Sequence, residues 1–136
     1  MATPSFPRAP EEPSTRFANF ALGLDAAFCN IVGLVLTLTG SFMSDWLGPA
    51  GWVITVFGVA VLLWSFVVTL FANRRVSRRR EVDLVLKANV VFVVVALIVI
   101  LFTDVFTTDG RVVAGIGTAI VAGFAVAQFL ARRDLE

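Results

Sequence analysis

Five polar side chains interrupt otherwise apolar sequence and set the chemistry open to this chain: Asp25, Asn30, Lys87, Asn89 and Gln128. Each lies within an apolar run of about 20 residues, the length that crosses a hydrocarbon core as a helix. Asp25 stands six residues from the middle of its run, and Lys87 stands at the same distance from the middle of another. That is roughly 9 Å along a helix axis. An ionised group at such depth costs about 2.5–3.5 kcal/mol on insertion scales, so a partner or a water-filled cavity is expected. Three arrangements meet that expectation. Asp25 pairs with Lys87, and Asn30 and Asn89 hydrogen-bond beside them. Alternatively, Asp25 faces a polar pocket and binds a cation or a proton. In the third, Lys87 snorkels or pairs with Asp83, one helical turn before it, and Asp25 reaches water unaided. Lys87 and Asn89 are two residues apart, hence on nearly opposite faces of a helix, and do not share one partner.

Other chemistry is poorly supplied. The chain has no His, which removes the usual general base and the commonest transition-metal ligand. Its single Cys, Cys29, forms neither an internal disulfide nor a CxxC pair. No stretch resembles a phosphate-cradling glycine loop or an HExxH helix. An enzyme, a cofactor and a bound metal are therefore not expected.

The elements that carry the five residues follow from composition. Of 136 residues, 58% are hydrophobic and 15% charged, and the mean hydropathy is +0.90. The charges cluster between long uncharged runs. The spans predicted are about 20–42, 50–72, 84–102 and 112–130, within a transmembrane domain over 19–136. Although rich in Val, these runs are long enough to cross as helices, which satisfy their own backbone in lipid. Gly48-Pro49 marks a turn between the first two spans, with Pro49 suited to the first turn of the second helix. Asp109-Gly110 marks another turn before the fourth span. Residues 1–18 form a leader with Pro4, Pro7, Pro10 and Pro13 at intervals of three. That spacing suits either a polyproline II docking face or a disordered tail.

Lys and Arg give the orientation. Arg8, Arg16, Arg74, Arg75, Arg78, Arg79, Arg80, Arg132 and Arg133 fall on one side of the alternating spans, and only Arg111 falls on the other. The positive-inside rule makes the first side cytoplasmic, with both termini there. Trp46 and Trp52 then lie near the outer interface. The run from Arg74 to Arg80 sets topology and also suits anionic lipid headgroups, at about 1 kcal/mol per basic residue near the surface. Nucleic-acid binding is not expected of a segment pinned beside a bilayer.

Small and polar residues recur along three spans at helical spacing. The first carries Ala26, Asn30, Gly33, Thr37 and Gly40. The second carries Gly51, Thr55, Gly58, Leu62, Ser65 and Thr69. The fourth carries Gly115, Ala119, Gly123 and Ala127 at intervals of four. Such faces let membrane helices approach closely, and helix packing is the role expected of them; a polar lining or a contact between subunits is the rival role.

Asp25 and Cys29-Asn30 in the first span, the arginine-rich exit from the second, Asn89 early in the third, and Gln128 with Arg132-Arg133 at the end form a recognisable layout. It resembles an uncharacterised group of small bacterial four-span membrane proteins, and the resemblance covers most of the chain after residue 18. It implies no activity. The small multidrug exporters are alike in size but carry Glu in span one and have little Lys/Arg bias. The fluoride channels have a phenylalanine pattern without a clear counterpart here.

The sequence thus predicts an all-α, polytopic four-helix transmembrane bundle of the cell inner membrane. The leading expectation is a non-enzymatic accessory protein that packs against other membrane subunits through its small-residue faces. The alternative is a homo-oligomeric channel or small transporter using Asp25 and the intramembrane Asn residues.

Overall fold

A computed structural model describes residues 13–72 and 79–134. Four helices account for nearly all of them: α1 (Pro13–Leu47), α2 (Gly51–Ala72), α3 (Arg79–Phe102) and α4 (Thr108–Asp134). All four are long and apolar enough to cross a membrane. Large apolar side chains such as Leu38, Phe42, Leu63, Phe66, Leu101 and Phe102 lie on the outside. A water-soluble monomer does not present so continuous an apolar surface; lipid is its natural solvent. The protein is an integral, multi-pass membrane protein.

The helices run past the hydrophobic segments that define them. α1 begins at Pro13, so residues 13–18, which the sequence assigned to the leader, are helical. Proline is accommodated in a first turn, whose amide has no acceptor in any case, and Ala18 is fully buried in the core. The remainder of the leader lies outside the described residues. At the other end α1 continues through Ser44–Leu47 and stops at Gly48, which has φ of 112°. A Cβ there would collide with the backbone of Val105, Phe106 and Thr107, so this turn requires glycine for both its dihedral and its space. Pro49 precedes α2, which starts at Gly51, instead of entering its first turn.

Asp109-Gly110 is not a turn but part of the first turn of α4. The cap is Thr107, whose Oγ1 accepts the amide of Gly110 at 3.0 Å. Gly110 is small because the carbonyl of Leu47 presses against it. The Thr107 amide donates to Leu47 O at 3.0 Å and its hydroxyl donates to Trp46 O. Carbonyls left over at the end of α1 are thereby satisfied by the cap of α4, which locks the two short loops together.

α1 is the central element, packing on α2 along one side and on α4 along another, while α3 packs on α4. The α1–α2 contact uses the expected glycines. A Cβ on Gly33 would lie 2.9 Å from Leu62 N and 3.0 Å from Gly58 O, and one on Gly58 would lie 2.7 Å from Thr37 N. At the end that carries Arg79, Arg132 and Arg133, Ala18, Leu22 and Ala26 meet Val68, Val82, Val85 and Ala131, with Trp64 and Phe71 packed against them.

Candidate functional site

Directly above this core sits a buried polar cluster. On α1 the inward line Ala18, Leu22, Asp25, Cys29 steps by four, three and four, so the carboxyl inherits the burial of its apolar neighbours. On α3, Asn89 extends the line of Val82, Val85 and Leu86. On α4, Gln128 lies between Ala125 and Ala131. Asp25 and Gln128 are 0% exposed and Asn89 is 5% exposed.

The three side chains close a ring of hydrogen bonds. Asn89 Nδ2 donates to Asp25 Oδ2 at 2.7 Å and to Gln128 Oε1 at 2.8 Å. Gln128 Nε2 donates to the same Asp25 Oδ2 at 2.7 Å. The Cys29 thiol lies 3.4 Å from Asp25 Oδ1, one turn along α1. Each bond in the ring joins two different helices, and bonds of this kind contribute about 0.6 kcal/mol on average within membranes, and at most about 1.7. α2 supplies no member; its buried Ser65 hydroxyl donates to Leu62 O of its own helix at 2.8 Å.

The Asp25–Lys87 pair does not form. Lys87 is on the outside of α3, with its side chain 72% exposed, and binds Asp83 at 2.8 Å. Two residues of rotation separate it from Asn89, and Asn89 is the one turned inward. Asp83 also accepts from Arg132 Nη1 at 2.6 Å, which ties α3 to α4 beyond the cluster. That second partner was not foreseen, although Arg132 follows Gln128 by one helical turn and so shares its face.

Asn30 stands apart as well. It is the central residue of α1, exposed to the surroundings, and its side chain hydrogen-bonds none of the described residues. The fourth-span face behaves in the same way. Ala119 and Gly123 are exposed, and a Cβ on Gly115 or Gly123 would find no atom within 4 Å. The packing expected of that face is not made among the described residues. Arg79 and Arg80 are exposed at the start of α3; Arg74, Arg75 and Arg78 lie outside the described residues.

The chain matches no protein-family model, no curated protein and no solved structure. What the cluster does must therefore be read from its geometry. Its carboxyl is enclosed by amides and a thiol, and the bundle gives it no contact with water. Among the described residues no three of His, Cys, Asp or Glu come together to hold a metal ion. The arrangement serves as a polar clasp that sets the register of α1, α3 and α4.

Proposed function

We propose that this protein is a non-enzymatic interaction subunit of the cell inner membrane, with both termini in the cytoplasm. It packs against other membrane subunits through the outer faces of α1 and α4. The observation that carries this reading is Asn30, a bare amide at the centre of a transmembrane helix and turned away from its own bundle. An amide without a hydrogen bond in an apolar medium costs roughly 2–7 kcal/mol, and a neighbouring helix is the ordinary source of a partner. Gly23 and Ala27 lie on the same outer face, and Gly23 has open space where a Cβ would project. A partner's backbone has room to approach there. The Gly115, Ala119 and Gly123 face of α4 supplies a second such surface. Enclosure of Asp25 speaks against a conducting role for the single chain.

The test is native mass spectrometry of the protein extracted in mild detergent, wild type against Asn30→Leu. The expected result is an assembly in the wild type, with other subunits bound, that Asn30→Leu releases while the chain's melting temperature holds. A wild type that runs as a bare monomer under every extraction condition contradicts the proposal.

A further inference from the structure

A groove of about 650 Å³ runs between the outer sides of α3 and α4. Its walls are apolar, formed by Leu86, Val90, Val91, Ala125, Val126 and Phe129, and its remaining lining is two cations, Lys87 and Arg132. Both cations lie toward the same end. Lys87 precedes the two valines on α3, and Arg132 follows Phe129 on α4, with its guanidinium carbon 5.3 Å from the centre of that ring. We infer that this groove binds an anionic phospholipid, with the phosphate at Lys87 and Arg132 and an acyl chain along Val90, Val91 and Val126.

Three observations support that occupant. The first is charge: Lys87 and Arg132 share one carboxylate, Asp83, at 2.8 and 2.6 Å. Two cations against one anion leave the mouth of the groove with a net positive charge. The second is a guanidinium placed at the groove, with Arg132 among its lining residues and held over the Phe129 ring. Guanidinium groups present planar forks of N–H donors that match phosphate oxygens. The third is the selection against a zwitterionic headgroup. A headgroup ammonium would sit beside two cations, and the one carboxylate near them, Asp83, already carries both, Lys87 on Oδ2 and Arg132 on Oδ1. The apolar walls distinguish a phospholipid from free phosphate, which would gain nothing from six hydrocarbon side chains. The groove also differs from the arginine run at the start of α3, because it holds the acyl chain as well as the charge. None of this depends on the proposal made for Asn30.

The experiment is native mass spectrometry of the full chain in detergent, titrated separately with phosphatidylglycerol, phosphatidylcholine and inorganic phosphate. Wild type is expected to retain phosphatidylglycerol at least about fivefold better than phosphatidylcholine, the factor set by one basic residue near an anionic headgroup. Lys87→Gln, at an exposed side chain, should erase that preference. Val126→Trp, which fills the groove from its lipid-exposed wall, should weaken both lipids while leaving helical content unchanged by circular dichroism. Equal retention of the two lipids by wild type overturns the inference. So does displacement of phosphatidylglycerol by equimolar phosphate, which identifies a simple anion site. Loss of binding in Lys87→Gln but not in Val126→Trp also overturns it, because the acyl chain then lies elsewhere.

Discussion

Asp25, Asn89 and Gln128 illustrate how far depth alone can be read from sequence. All three stand in the same half of their spans, and their convergence follows once each helix turns its apolar line inward. Asn30 and Lys87 share that half too, yet both point outward. Depth is a one-dimensional quantity, whereas facing is set by rotation at about 100° per residue. Asn30 is five residues from Asp25 and so lies about 140° around α1. Lys87 is separated from Asn89 in the same manner, and that spacing was visible in the sequence as an objection to a shared partner. Asn89→Leu removes the donor that bridges Asp25 and Gln128 and leaves a carboxyl and an amide buried with fewer bonds. It should lower stability in detergent by about 1–3 kcal/mol. Lys87→Met should leave the melting temperature unchanged, because its ion pair is surface-exposed. A double-mutant cycle between Asp25 and Lys87 should then give no coupling, while one between Asp25 and Gln128 should give about 1 kcal/mol. Coupling between Asp25 and Lys87 would count against the observed clasp.

The helices themselves were legible as apolar runs, and their ends were not. α1 and α4 extend beyond the hydrocarbon-length segments because capping, not apolar length, decides where a helix stops, and the residue that caps α4 is also bonded to the end of α1. Thr107 caps α4 while its amide and hydroxyl serve carbonyls of α1. No local pattern announces that exchange, and Asp109-Gly110 read locally suggests a turn. The small-residue faces were legible as contact surfaces, but sequence does not say which contacts lie within the chain. Gly33 and Gly58 meet each other's helices at van der Waals distance, whereas Gly115 and Gly123 face open space. Gly58→Ala should therefore force α1 and α2 apart and cost about 1–3 kcal/mol. Gly123→Ala should preserve or raise the stability of the isolated chain by up to about 1 kcal/mol, since alanine favours helix over glycine. Thermal unfolding of the two variants in one detergent checks the contrast; equal losses would show that the Gly123 face of α4 is packed within the chain after all.

At the scale of the whole molecule, the number of spans follows from hydropathy, but the order of neighbours does not. In lipid, one apolar face substitutes for another, so adjacency is decided by the few features that do not interchange: glycines that admit a backbone, amides that seek a partner, and edge-to-face rings such as Phe28 and Phe124 with centroids 5.6 Å apart. Those features place α1 between α2 and α4 and use up most of the polar groups within the spans. Asn30 is the amide they leave over, and the proposal that the protein works by docking to other membrane proteins rests on it. The most direct test is photo-crosslinking in native membranes from a probe at Ala27, on the outer face of α1 one turn before Asn30. A probe at Ile98, on the exposed surface of α3, gives the lipid reference. Position 27 should give a protein adduct that disappears with Asn30→Leu, and position 98 should give lipid adducts alone. Lipid adducts alone from position 27 in the wild type would contradict it.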